Sequence, residues 1–219
     1  MTNFGTAIIV GAGPGLGLAL ARTFAAAGHP VAMLARDKAR LDDQAAQFSP
    51  DGPVVRGYAT DAADPASLRA ALGSAITELG APDVLVYNTG VLRPDSPTGG
   101  DDQEWAHVTA INVLGARVAA DAVLPQLRDG RGTLLFTGGG YALRPSRKFS
   151  SLSVGKAALR AYVHVLHDQL AGTGVHATSV TITAEIGSGD PRFDPAVIAR
   201  SYLGLHNQPA TEWQHELVY

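Results

Sequence analysis

The sequence predicts a single doubly wound α/β domain over residues 1–219, with a seven-stranded parallel sheet covered by helices on both faces. Three observations carry that prediction. Short β-branched runs alternate with longer Ala/Leu-rich segments along the whole chain, the pattern of a parallel sheet with helical crossovers. A glycine-rich turn joins the first such run to the first helical segment. Segments rich in proline and glycine at 91–101, 138–147 and 187–195 each follow a strand, at the carboxyl edge where open α/β sheets hold ligands. A chain of 219 residues is within the size that one core serves, so no second domain is expected.

The first strand, Thr6–Val10, is apolar after its threonine, as suits a central strand buried on both sides. It runs through Gly11-Ala12-Gly13-Pro14-Gly15-Leu16-Gly17 into a helix over 16–27, whose Leu16, Leu20 and Phe24 recur at helical spacing. A strand at Val31–Ala35 precedes Asp37, an N-cap for a helix over 38–48. After a strand at 54–58, Asp64 and Pro65 start a helix over Pro65–Leu79, a cap followed by proline in the first turn. A strand at 83–87 leads to a long helix over 102–127, and a strand at 133–137 to a helix over 152–171. The strand Val175–Ile182 follows, then Asp194 and Pro195 opening a helix over 195–205, and a last strand Glu216–Val218.

Composition excludes several function classes. Hydrophobic residues are 46% and charged residues 17%, which is ample for a large core and unlike a disordered chain. A net charge of -3 leaves no basic excess for phosphate backbones, which argues against nucleic acid as partner. With no cysteine there is no disulfide, thiolate nucleophile or Cys-ligated metal. Met1 to Asn3 carry no basic leader and the apolar run from Ala7 to Val10 is too short for a signal peptide or a span, so no membrane partner and a cytoplasmic location are expected.

The glycine turn carries the first functional signal. Glycines allow φ > 0 and close backbone approach to a pyrophosphate, and the helix N-terminus adds free N–H groups with a favourable dipole. The spacing is not GxGxxG, because Leu16 stands on the third glycine, but Gly11, Gly15 and Gly17 fit GxxxGxG. In that spacing after a first strand the chain resembles the short-chain dehydrogenase/reductase family, with Val10 where that family has threonine. The resemblance implies a Rossmann fold and a nicotinamide dinucleotide held by Gly11, Gly15, Leu16 and Gly17. Where the second strand ends, Ala35 takes the place of a ribose-binding carboxylate and Arg36 follows, a donor suited to a 2′-phosphate. NADP(H) is therefore favoured and NAD(H) is the alternative, with Asp37 the competing carboxylate. Asp61 matches the family's aspartate beside the adenine, and Tyr87-Asn88-Thr89-Gly90 occupies its NNAG motif, retaining Asn88 and Gly90.

Family chemistry moves hydride between the nicotinamide and a carbonyl or alcohol carbon while a tyrosine exchanges the proton. Of the four roles implied by the resemblance, Lys156 retains the lysine and Asn112 the water-holding asparagine. The tyrosine position is Leu152 and the serine position falls in Gly138-Gly139-Gly140, at Gly139. The proline-glycine pair usual after the sixth strand is Ile182-Thr183. Leucine cannot donate a proton, and general acid catalysis is worth roughly 10²–10⁴-fold. Tyr141, just past the three glycines, is the first candidate replacement, with Ser151, Ser153 and Lys156 itself behind it; the serines also suit helix capping.

His164 and His167 are spaced i, i+3, but no third ligand lies near them in sequence, so ordinary packing is preferred over a metal. Tyr202, His206 and Trp213 are read as core residues, with a pocket cover as the alternative. The expected function is an NADP(H)-dependent oxidoreductase of a small carbonyl or alcohol with a non-standard proton donor. The alternatives are a non-redox enzyme on the same fold (cyclase, isomerase or lyase) and an inactive NADP(H)-binding protein. The resemblance also implies a homodimer or homotetramer through the helices at 102–127 and 152–171.

Overall fold

In β1 (Thr6–Val10) every residue is buried, and its side chains divide by parity: Ile8 and Val10 enter one apolar layer, Ala7 and Ile9 the other. A strand covered on both faces requires that division. The computed structural model describes residues 4–219. Its other strands are β2 (Val31–Ala35), β3 (Val55–Ala59), β4 (Pro82–Tyr87), β5 (Gly132–Gly139), β6 (Val175–Ile182) and β7 (Glu216–Val218). They form one all-parallel sheet in the order β3-β2-β1-β4-β5-β6-β7. The strand order reverses between β1 and β4, which places a crevice at their carboxyl ends.

The helices are α1 (Leu16–Ala26), α2 (Lys38–Ala45), α3 (Pro65–Leu79), α4 (Asp102–Thr109), α5 (Gly115–Val123), α6 (Ser150–Gln169) and α7 (Pro195–His206). Helices α1, α2 and α7 cover one face of the sheet and α3, α5 and α6 the other. The predicted caps form. Asp37 accepts from the Arg40 N–H at 3.0 Å, Asp64 from Ala66 and Ser67, and Asp194 from Ala196 at 2.8 Å.

Most bounds fall within a residue of the sequence reading, and four elements depart further. The helix expected over 102–127 breaks into α4, a wide π turn at Ala110–Leu114, α5 and a 3₁₀ turn at Leu124–Gln126 that contains Pro125. Within the π turn the Ile111 carbonyl accepts from the Tyr87 hydroxyl at 2.5 Å, so a side chain from β4 supports the slipped backbone. Strand β5 continues to Gly139, because Gly138 and Gly139 pair with Thr181 and Ile182 of β6. Helix α6 begins two residues early, at Ser150, where the Asp95 carboxylate of a distant loop accepts from the Ser150 and Ser151 N–H groups. Helix α2 ends at Ala45 instead of 48, its last turns tightening to Gln47 N–H with Gln44 O and Phe48 N–H with Ala45 O.

Within the run Asp102–Gln126 an 18-residue stretch reaches a mean hydropathy of 1.3, apolar enough to cross a bilayer. Half of that stretch is buried inside this fold.

Candidate active site

At the carboxyl ends of β1, β2 and β4 a cleft of about 260 Å³ opens, lined among others by Gly11, Gly13, Arg36, Arg40, Asn88 and Gly90. Its floor is the glycine turn, and the glycines there do different things. Gly11 has φ +91°, and a Cβ on it would lie 2.2 Å from the Asn88 carbonyl oxygen. A Cβ on Gly17 would lie 2.4 Å from the Gly11 carbonyl oxygen. Both positions are closed to any side chain by backbone alone. Gly13 and Gly15, by contrast, face open space.

Gly15 is the N-cap of α1 and supplies no side-chain cap, so the Leu16 and Gly17 N–H groups have no acceptor among the described residues. The Leu16 side chain itself is buried in the core. Unfilled space in front of uncapped N–H groups fits a pyrophosphate. Gly13 lines the cleft and was not singled out in the sequence.

Beyond β2, Arg36 and Arg40 both border the cleft, are exposed, and make no side-chain hydrogen bond or ion pair among the described residues. Arg40 was missed by the sequence reading. It stands four residues after Arg36, a separation that reads as an ordinary helix surface until Arg36 is seen at the start of that helix's approach. The Asp37 carboxylate is engaged as the cap of α2. Asp61 accepts from the Ala63 N–H at 2.9 Å and shapes a turn, while its neighbours Thr60 and Ala62 line the cleft.

The other end of the cleft meets the residues of the expected proton chemistry. Lys156 is 7% exposed, and its Nζ donates to the Thr89 and Thr137 carbonyls, each at 2.8 Å. Burial pushes its pKa down to about 8, as expected for an ammonium taken from water without a carboxylate beside it. A Cβ on Gly90 would lie 3.4 Å from the Lys156 Nζ and 3.8 Å from the Asn112 Oδ1. Lysine, asparagine and the glycine just after β4 therefore converge.

Asn112 sits in the π turn, fully buried, its Nδ2 donating to the Val108 carbonyl at 3.0 Å. Its Oδ1 has no partner among the described residues, an acceptor of the kind that ordered water satisfies. Gly155 of α6 lets the helix press onto it, since a Cβ there would reach 2.9 Å from the Asn112 Cβ.

The three glycines after β5 are not equivalent. A side chain at Gly138 would strike the Thr181 Oγ1 at 2.6 Å, and one at Gly140 would press on the Thr183 backbone at 3.1 Å. At Gly139 the nearest atom is the Lys156 Cγ at 3.7 Å, an ordinary contact. Only the middle glycine has room for the missing serine, and it is beside the lysine. Leu152 is buried one helical turn before Lys156.

Tyr141 lies in the 3₁₀ turn Gly140–Ala142 that packs on α6. Its ring stacks on Phe149, centroids 5.4 Å apart, and its hydroxyl has no partner among the described residues. Ser151 and Ser153 are both buried: Ser151 faces the Asp95 cap, and Ser153 donates to the Phe149 carbonyl at 2.7 Å. Neither serine is free for proton transfer. Tyr202 is in the core, His206 meets the Thr133 Oγ1 at 2.9 Å and Trp213 stacks on His176, all three by packing and none as a cover over the cleft. His167 bonds to the Ala177 carbonyl, and His164 packs edge-on to His215.

Comparison with known proteins bears on the family and the fold. An uncharacterized oxidoreductase of Staphylococcus saprophyticus is 27% identical over 214 residues, spanning 93% of this chain and 92% of its own. The 2-(S)-hydroxypropyl-CoM dehydrogenase 3 of Xanthobacter autotrophicus is 29% identical over 173 residues, 78% of this chain and 68% of the relative. A metagenomic short-chain oxidoreductase solved in complex with NADP superposes with a TM-score of 0.88 at 22% identity, over 98% and 96% of the two chains. An NADPH-bound short chain oxidoreductase of Pseudomonas aeruginosa, described as containing an atypical catalytic center, gives 0.87 at 22% identity over 97% and 94%. These two likenesses speak to the fold. The family model for short chain dehydrogenase matches residues 5–184, and the chain belongs to that family.

Proposed function

We propose that the protein is an NADP(H)-dependent oxidoreductase of a small carbonyl or alcohol, with Tyr141 in the role of the absent family tyrosine. The observation that carries this reading is the state of Lys156. A buried ammonium without a carboxylate partner costs stability, and it is held by the carbonyls of Thr137 in β5 and Thr89 just after β4, at the end of a cleft that starts at an uncapped helix N-terminus. Its retention speaks for a ligand that it serves.

NADPH, when bound, supplies the hydride. The Leu16 and Gly17 N–H groups hold the pyrophosphate beside Gly11 and Gly15, and Asn88, Gly90 and the turn at Asp61 border the adenosine half. Arg36, with Arg40, holds the 2′-phosphate. Two unpaired arginines on one rim favour NADP(H) over NAD(H), and bound NADP or NADPH in two related folds is in keeping with that preference. Lys156 orients the nicotinamide ribose, the Asn112 Oδ1 holds a water, and the free Tyr141 hydroxyl donates to the substrate oxygen.

NADPH consumption against a panel of small carbonyls tests the reading. Turnover is expected, and Tyr141→Phe should cut kcat by about 100-fold. Turnover unaffected in Tyr141→Phe removes that residue from the chemistry.

A second reading is favoured by the buried Leu152 and by Gly138–Gly140: a non-redox enzyme (cyclase, isomerase or lyase) or an NADP(H)-binding protein uses the space those residues leave. Tight NADPH binding with no turnover of any carbonyl supports it. Leu152→Tyr with Gly139→Ser should then create carbonyl reduction, since Gly139 has room for the hydroxymethyl group.

The same reading includes a homodimer or homotetramer. Leu114, Val154 and Val165 are 41%, 54% and 67% exposed along the α5 and α6 side, and light scattering of wild type against Val165→Asp tests whether that face pairs.

A further inference from the structure

Tyr202 is fully buried in the middle of α7, yet its hydroxyl is not idle. It lies 2.7 Å from the Thr137 Oγ1, which lies 2.9 Å from the Asn88 Oδ1. The Asn88 Nδ2 in turn lies 3.0 Å from the Gly11 carbonyl. The direction of every link is fixed by chemistry. The Gly11 carbonyl can only accept, so the amide nitrogen of Asn88 faces it and the amide oxygen faces Thr137. An amide oxygen can only accept, so the single Thr137 proton is committed to it. The Tyr202 proton must therefore go to Thr137. Four elements are joined in one polarised row: α7, the end of β5, the end of β4 and the turn after β1.

The row ends on the atom that sets the turn. The Gly11 carbonyl also accepts from the Gly13 N–H at 2.9 Å, and it is the atom that a Cβ on Gly17 would strike. Val10, at the position before the turn, brings no hydroxyl of its own. Thr137 serves the other half of the cleft as well, through the carbonyl that receives the Lys156 Nζ. Burial raises the Tyr202 phenol pKa, so it stays a donor at ordinary pH.

We propose that Tyr202 is a positioning residue for the dinucleotide turn, orienting the Gly11 peptide through Thr137 and Asn88. The inference rests on the reading of that turn as the NADP(H) site. Because the row touches the turn and not the 2′-phosphate rim, loss of the tyrosine proton should weaken NADPH and NADH by the same factor.

The test measures nucleotide fluorescence titrations on the whole chain. Tyr202→Phe and Thr137→Val should each weaken both nucleotides by about fivefold to tenfold, and the NADPH to NADH ratio should not move. The double variant should lose little more than Thr137→Val alone, because the two act in series, and Thr137→Ser should bind as wild type does. If Tyr202→Phe does not fold, the Thr137 pair decides: valine weakened with serine intact supports the row, and valine unaffected overturns it. A folded Tyr202→Phe with lower thermal stability but unchanged affinity also overturns it, as does additive loss in the double variant. Failure of the wild type to bind either nucleotide sinks the reading of the site instead, a result distinct from all of these.

Discussion

The two ends of the cleft are built from different material. The β1–α1 end recognises through backbone: φ at Gly11, the missing Cβ atoms of Gly13, Gly15 and Gly17, and uncapped N–H groups. The β5–α6 end depends on side chains, and there two of the four family roles are gone while Lys156 and Asn112 stay buried in place. If the proposed dinucleotide and proton roles of the two ends hold, the two should be lost by different kinds of substitution. A main-chain site is lost when a Cβ is added, whereas a side-chain site is lost when a functional group is removed and the backbone does not notice.

The largest effects should come from putting Cβ atoms into the backbone end. Gly15→Val enters open space, so the fold should stand while NADPH affinity falls by roughly 100-fold, or about 3 kcal/mol. Gly17→Val should lose affinity and also about 1–3 kcal/mol of stability, because its Cβ would sit 2.4 Å from the Gly11 carbonyl oxygen. Nucleotide titration beside chemical denaturation separates the two. Equal stability loss in both variants, or full affinity in Gly15→Val, would break the contrast.

At the side-chain end the expected signature is a pH dependence. An unfolded lysine titrates near about 10.4, and buried Lys156 titrates at about 8. Between those values the unfolded chain carries the extra proton, so stability rises with pH there and is flat below 8, where both states are charged. The rise should amount to roughly 3 kcal/mol, read as wild type minus Lys156→Met so that the exposed groups cancel. A flat difference from neutral pH upward would mean that the two carbonyls hold the ammonium as well as water does.

The smallest effect belongs to the rim. Arg36→Ala should reduce the preference for NADPH over NADH by about tenfold, or 1.4 kcal/mol, with NADH affinity nearly constant. Arg40→Ala should act in the same direction. Equal wild-type affinities for the two nucleotides would remove the 2′-phosphate role from both arginines.

Much of this was legible before any coordinates. Central parallel strands are apolar on both faces, so β1 and β2 stand out as continuous runs, and the aspartate caps at 37, 64 and 194 mark helix starts by a local bond that needs no tertiary context. The glycine turn, Asn112 and Lys156 lie in motifs, so they can be named from local sequence alone. What escaped was set by partners distant in sequence. Helix α6 starts at Ser150 because Asp95 caps it from 55 residues away. Strand β5 runs into Gly138 and Gly139 because β6 pairs with them, although glycine by itself reads as a turn. No local signal marks the slip at Ala110–Leu114, since a wide turn has the composition of the helix around it. Tyr202 gave an apolar, core-like signal, and its bond to Thr137 crosses 65 residues.

The Tyr87 hydroxyl on the Ile111 carbonyl also restricts what can stand at position 115. A Cβ at Gly115 would lie 2.2 Å from that hydroxyl and 2.4 Å from the Ala62 carbonyl oxygen. The second clash does not involve residue 87, so glycine is required at 115 whichever side chain stands on β4. The tyrosine's hydroxyl occupies room that the glycine leaves. With the tyrosine present, a side chain at 115 meets two separate collisions, and removing the phenol hydroxyl relieves only one of them.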